Sequence, residues 1–259
     1  LEENGARGAV AVVHGFVENQ GDAWTVTGAY LDRFVEEQRL LTAEAAEESD
    51  EQAAYELRMH HVGRRVAALQ LALASRDDVP DFAPEAIIAA DIRTWTDGVL
   101  QRANRTLDEL ADRRSDLTEN DRQLVDALLS CRGALPARLR ELLPENLDAM
   151  KIRHHGDFHL GQMLIVKDDV FIIDFEGEPR RSIEDRRRKA PAARDVAGLI
   201  RSIDYSATAA LERALRSAPD EHGKIARALD GWRERSIAAF LSVYRQSLSD
   251  ARLWPQSFE

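Results

Sequence analysis

Two apolar, β-branched runs, Met163–Val166 and Val170–Ile173, flank the polar triplet Lys167-Asp168-Asp169. That pattern predicts a β-hairpin, and a hairpin brings its two ends together, so Gln162 and Asp174 are expected to be neighbours. Elsewhere the apolar positions recur at helical spacing. Trp24, Leu31, Phe34 and Val35 mark one predicted face, and Val62, Val66, Leu69 and Leu73 mark a second, which the polar segment Ser75–Pro80 ends. Pro84 is placed to open a helix through Ile87, Ile88, Ile92, Trp95, Val99 and Leu107. Leu124, Val125, Leu128 and Leu129 give another helix, Pro136–Leu143 a short one, and the chain from Arg194 to Tyr244 is mostly helical in pattern. Ahead of these, Gly8–Val13 reads as a buried strand that Gly15 and Gly21 turn into a connector. Glu44–Glu51 reads as an acidic, solvated stretch. The expected class is mainly α with a small β-hairpin.

Composition sets bounds on this picture. The 259 residues are 44% hydrophobic, enough for a sizeable core in one large domain or two small ones. The net charge of -11 argues against a general affinity for nucleic acid or an anionic membrane. Cys131 is the only cysteine, which excludes an internal disulfide and a Cys-based zinc site and suits a reducing, cytoplasmic setting. No signal peptide and no apolar run of membrane-spanning length is present in the sequence.

The segments around the hairpin carry the chemistry. His155-Gly156-Asp157-Phe158-His159-Leu160-Gly161-Gln162 precedes it, and Asp174-Phe175-Glu176-Gly177-Glu178-Pro179 follows it. Phosphoryl transfer from ATP needs a carboxylate to orient and deprotonate the attacking hydroxyl, and oxygen ligands to hold Mg²⁺ against the phosphates. Asp157 suits the first role. Gln162 and Asp174 suit the second, because Mg²⁺ takes carboxylate and amide oxygens. Protein kinases space the same groups as D-x-x-x-x-N followed by D-F-G; here Gln162 replaces the Asn, and Asp174-Phe175-Glu176 stands where D-F-G would.

Other residues have plainer uses. His155 is expected to brace the loop, and His159 either touches substrate or is an ordinary loop histidine. The pairs His60-His61 and His154-His155 lack metalloprotease spacing. Arg186-Arg187-Arg188-Lys189 grips phosphate or forms a solvated loop with Glu184 and Asp185. Asp195 either caps backbone amides at the start of its helix or reaches back to the catalytic loop. Trp232 and Tyr244 belong to the core or to a sugar-stacking platform. Arg201, Asp204, Tyr205 and Glu176 are further candidates for substrate contact, and His14 and Phe16, in the connector, for the adenine side.

From Arg153 to Tyr205 the chain closely resembles bacterial maltokinases, which also occur fused to trehalose synthase. The residues that carry the likeness are H-G-D-F-H-L-G-Q (155–162), D-F-E-G-E-P (174–179) and R-D-V-A-G-L-I-R-S-I-D-Y (194–205). N-Q-G-D-A-W (19–24) and V-G-R-R-V-A-A-L-Q-L-A-L-A (62–74) look like the same family. His14-Gly15 departs from its usual Gln-Glu, and Gln70 from a common His. The resemblance implies the carboxy-terminal lobe of a protein-kinase-like, aminoglycoside-phosphotransferase-like fold. Residues 1–23 would be the last strand of an amino-terminal lobe plus the hinge, and residues 24–259 the helical catalytic lobe. The implied reaction is ATP- and Mg²⁺-dependent phosphorylation of the anomeric hydroxyl of maltose, giving maltose 1-phosphate for α-glucan and trehalose metabolism. Asp157 would be the base, Gln162 and Asp174 the metal ligands, and Glu176 a further metal or sugar contact. The four lysines, Lys151, Lys167, Lys189 and Lys224, all follow the connector, and no glycine-rich loop precedes it. A phosphate-gripping lysine is thus missing, and the expectation is a chain lacking most of its amino-terminal lobe. Two competing readings are an aminoglycoside- or choline-type phosphotransferase with another acceptor, and a non-catalytic sugar-binding module of an α-glucan enzyme.

Overall fold

The computed structural model describes residues 2–3, 6–7, 12–40, 50–143, 146–249 and 251–254. The chain divides into two compact units. The first comprises residues 1–66, 155–180 and 195–244; the second comprises residues 67–154, 181–194 and 245–259.

In the first unit, strands β1 (Glu2–Glu3) and β2 (Ala6–Arg7) pair antiparallel, and helix α1 (Ala23–Leu40) follows a connector without regular structure. Residues 8–11 of the expected strand lie outside the described residues. Val12 and Val13 are not in a strand and are 70% and 95% exposed. β-branched residues favour strands by packing on a pleated neighbour, and none of the described strands pairs with them. On α1 the buried positions are Ala23, Thr27, Tyr30, Leu31, Phe34 and Val35. They follow the helical repeat, and Trp24 falls one place off it, on the exposed side.

Helix α2 (Asp50–Leu73) begins where the acidic stretch ends; residues 44–49 of that stretch lie outside the described residues. Tyr55, Met59, Val62 and Val66 of its first-unit part are buried. The rings of Tyr30 and Tyr55 stack at 4.7 Å, and Trp232 tilts against Tyr55 at 5.2 Å. The hydroxyls of Thr27 and Tyr55 share a hydrogen bond of 2.9 Å, and burial pushes the Tyr55 phenol up to about 12. Each large apolar side chain buried here contributes roughly 1.5–3 kcal/mol.

The second unit contains a three-stranded antiparallel sheet of β3 (Glu85–Ala86), β4 (Met150–Ile152) and β7 (Ala190–Pro191), with β4 in the centre. It also contains α3 (Ala89–Asp112), α4 (Glu119–Ser130) and α5 (Leu135–Leu142). The sequence pattern starts α3 at Pro84, five residues early. Glu85 and Ala86 instead pair with Lys151 and Met150, and Ile88 is extended. Its amide donates to the Asp91 carboxylate at 3.0 Å, so the helix opens after the strand. Ile87, Ile92 and Ala149 form a small core with Trp95 and Leu147 against it. Two lysines hold the sheet's rim: Lys189 donates to Glu85 at 2.6 Å and Lys151 to Asp91 at 2.8 Å. The hydrogen bond from Lys189 holds the Glu85 carboxyl below its usual range. Gln70, at 0% exposure, donates to the Ala192 carbonyl at 3.0 Å.

The predicted hairpin is present in the first unit as β5 (Met163–Val166) and β6 (Asp169–Ile172), paired antiparallel from Met163↔Ile172 to Val166↔Asp169. Lys167 takes a positive φ of 57° in the turn. Within the charged segment after it, Ser182 caps the short α6 (Ile183–Arg187). Helices α7 (Ala193–Leu215) and α8 (His222–Ser247) complete the chain's helices as described. Gly63 on α2 lets two helix backbones meet: a Cβ there would stand 2.7 Å from the Phe240 carbonyl oxygen of α8. No helix among the described residues is long and apolar enough to cross a membrane.

Candidate active site

The loop 155–162 lies along one face of α7. The Asp195 carboxylate, 3% exposed, accepts the amide of His155 at 2.9 Å and that of Gly156 at 3.0 Å. Gly198 leaves room for the next stretch, since a Cβ on it would be 2.5 Å from the Phe158 carbonyl oxygen. The Ser202 hydroxyl accepts the Leu160 amide at 3.1 Å. These three residues recur at i, i+3 and i+7, which places them on one side of a helix. Asp195 therefore binds the loop rather than capping its own helix.

Gly156 adopts φ +91°, a conformation that an L side chain rarely takes. Asp157 is partly exposed, and its carboxylate has no hydrogen bond to the described residues. His155 is 1% exposed, with its ring between Phe158 (5.3 Å) and Phe175 (5.1 Å). Its Nε2 lies 2.8 Å from the Ile173 carbonyl, and its Nδ1 accepts the Asp157 amide at 3.4 Å. One tautomer serves both contacts, with the proton on Nε2. His155 thereby ties the start of the loop to the far end of the hairpin.

Gln162 and Asp174 meet as expected. Gln162 Nε2 donates to Asp174 Oδ2 at 3.0 Å, and the Ile173 amide donates to the Gln162 carbonyl at 3.0 Å. Asp174 has φ +62°, in the left-handed region where non-glycine residues are uncommon and where active-site residues concentrate. The Gln162 amide oxygen and Asp174 Oδ1 make no hydrogen bond to the described residues. Two hard oxygen donors on partly or fully exposed side chains suit Mg²⁺. Among the described residues no group of three His, Cys, Asp or Glu side chains could hold a metal.

The remaining candidates separate. His159 Nδ1 accepts the Gly161 amide at 3.1 Å and starts the turn before β5. Glu176 is exposed beyond Asp174. On α7, the Arg201 guanidinium lies 4.8 Å over the Tyr205 ring, and Tyr205 is 55% exposed. Asp204 forms an ion pair of 3.7 Å with Arg233. Trp232 and Tyr244 are both 0% exposed. The stacking platform considered for them is not found, because aromatic neighbours on the helices cover these rings. His14 and Phe16 are exposed in the connector. Sequence reasoning missed Gly198 and Ser202 as loop contacts, and their spacing from Asp195 was the available signal.

The profile of the phosphotransferase enzyme family APH matches residues 1–235. The chain belongs to the APH family. This APH chain is 29% identical over 198 residues to a glucosamine kinase of Streptacidiphilus jiangxiensis, covering 73% of the chain and 37% of that relative. It is 30% identical over 122 residues to a glucosamine kinase of Mycolicibacterium smegmatis, covering 47% and 28% respectively. Among solved structures it is similar to a glucosamine kinase in complex with glucosamine, ADP and inorganic phosphate. The TM-score there is 0.65 at 24% identity, over 92% of this chain and 49% of that one. A second crystal form of glucosamine kinase gives a TM-score of 0.63 at 24% identity, over 90% and 50%. The APH chain thus spans about half the length of the solved structures it resembles, and less of the curated relatives.

Proposed function

We propose that this chain is the acceptor-side, catalytic lobe of an ATP-dependent sugar kinase, with residues 1–23 as the end of an amino-terminal lobe and its hinge connector and residues 24–259 as the helical lobe itself. The observation that carries the reading is the contact between Gln162 and Asp174 at 3.0 Å, beside a loop on which Asp157 stands with an uncommitted carboxylate. Asp157 orients the sugar hydroxyl and takes its proton as the oxygen attacks the γ-phosphorus of ATP. ADP leaves, and the proton rests on Asp157. Gln162 and Asp174 would hold Mg²⁺, whose charge offsets that of the phosphates when it is bound. Asp195 and His155 keep the loop and hairpin in register, so that base and metal ligands stay at fixed separation. Arg201, Asp204, Tyr205 and Glu176 are the acceptor contacts we propose, with His14 and Phe16 on the adenine side.

For the acceptor, the resemblance of residues 155–179 to maltokinases points to maltose, phosphorylated at its anomeric hydroxyl. A second reading, glucosamine, is favoured by the relatives, which carry that substrate in their names. The single cysteine supports a cytoplasmic location. The test is sugar-dependent ADP release measured across maltose, glucosamine, glucose and an aminoglycoside, for this chain and for any longer form that contains it. Release with maltose alone supports the first reading, and release with glucosamine alone the second. Release with no sugar in either form removes the kinase reading.

A further inference from the structure

The signature Asn19-Gln20-Gly21-Asp22 has no part in the chemistry above, yet most of its side-chain polar groups are committed. Asn19 Oδ1 accepts the Gly21 amide at 2.9 Å, and its Nδ2 donates to the Val17 carbonyl at 2.8 Å. The Gln20 amide donates to the Ile165 carbonyl, and the Ile165 amide donates to the Gly21 carbonyl, each at 2.9 Å. Asp22 lies opposite Leu164 in an antiparallel bridge. Its carboxylate then accepts the amide and the hydroxyl of Thr25, each at 2.9 Å, and so opens α1. The connector thus meets the free edge of β5 through one isolated bridge and two backbone hydrogen bonds.

The side chain of Gln20 goes further: its Oε1 accepts the amide of Lys167 at 2.9 Å. Lys167 is the positive-φ residue of the hairpin turn. On the other side of the same turn, Arg65 Nε donates to the Asp169 carboxylate at 2.8 Å. A two-stranded hairpin alone is marginally stable in water, and this one carries Gln162 and Asp174 at its base. The strands are about 13 Å long, so a tilt at the turn displaces both.

We infer that Gln20 is a positioning residue for the Gln162–Asp174 pair, acting by clipping the hairpin turn to the connector through the Lys167 amide. This rests on the reading of that pair as metal ligands. The test uses Gln20→Ala and Gln20→Glu in this chain, with two readouts: amide hydrogen exchange at Lys167 and Ile165, and Mn²⁺ binding in the presence of ADP, followed by electron paramagnetic resonance. Gln20→Ala is expected to speed exchange at Lys167 about ten-fold, as for the loss of one hydrogen bond, while amides of α8 keep their rates. It is also expected to weaken Mn²⁺ binding. Gln20→Glu keeps an acceptor oxygen at the same reach and restores both. Wild-type exchange and Mn²⁺ affinity in Gln20→Ala overturn the inference, as does a loss that Gln20→Glu fails to restore. Asp174→Asn separates the two claims: it is expected to lose Mn²⁺ without faster exchange at Lys167. Undiminished Mn²⁺ binding in Asp174→Asn would sink the metal reading itself, and the positioning claim with it, whatever the exchange rates show.

Discussion

The carboxylate of Asp195 holds the backbone amide of His155 at 2.9 Å, across 40 residues of sequence and inside the protein. Its other oxygen takes the Gly156 amide. Each hydrogen bond to a charged group is worth about 1.5–3 kcal/mol. Asp195→Ala is therefore expected to lower stability by about 3 kcal/mol or more, read as a lower urea midpoint, and to abolish sugar-dependent ADP release. Asp195→Asn, which can accept only one of the two amides well, is expected to fall between. A fully active Asp195→Ala would show that the loop holds its shape without the clasp.

Asp157→Asn tests the base. Its carboxylate makes no hydrogen bond or ion pair with the described residues, so the fold and the urea midpoint should be unchanged. Turnover should drop by about 10²–10⁴, the range expected for loss of a general base. Near-normal turnover would move the proton acceptor elsewhere.

How much of this was legible beforehand depended on the length of each pattern. The hairpin and the meeting of Gln162 with Asp174 were readable because two four-residue apolar runs with a polar break leave few alternatives. Strands β3, β4 and β7 were not, since two or three residues show no periodicity and their pairing is set by distant partners. Pro84 misled for the same reason, because a strand bound to Met150 and Lys151 comes before the helix. Trp24 matched Leu31 by spacing, but Ala23 and Thr27 hold the buried line in the first turn. Asp195 could be read as a cap or as a loop brace, and only the fold decides. Trp232 could be read as core or platform, and Tyr30 and Tyr55 answer that.

Gly198→Ala adds one carbon where the Phe158 carbonyl stands at 2.5 Å. Helix propensity alone would favour Ala, so a stabilised protein is the outcome if the loop can yield. The backbone contact predicts the opposite: a loss of about 1–3 kcal/mol, typical of overpacking, and a fall in kcat larger than any change in KM. Ser202→Ala, which removes the acceptor for Leu160 without adding bulk, should be milder in both measurements.

The ion pair of Arg65 with Asp169 gives a pH signature. Hydrogen bonding from Arg65, against the opposing effect of burial, lowers the Asp169 carboxyl from 3.8 to about 2. A lowered carboxyl contributes stability that is present above its unfolded value and is lost as pH falls through the folded one. The difference in urea midpoint between the wild type and Asp169→Asn should thus be constant above about pH 5, shrink progressively as pH falls, and vanish only below about pH 2. Both side chains are partly exposed, so the plateau should be no more than about 1 kcal/mol. A difference that persists unchanged at pH 2 would mean that the pair contributes nothing through charge.

The distribution of lysines has a practical consequence. Lys151 and Lys189 are sunk in ion pairs at 18% and 9% exposure, and the Lys224 ammonium donates to the Arg39 carbonyl. Lys167, at the tip of the hairpin, and Lys224, on α8, are the two exposed lysines. An amine-directed fluorophore, used sparingly on a Lys224→Arg variant, would therefore settle mainly on the turn that Gln20 grips, and turn the hairpin into its own reporter.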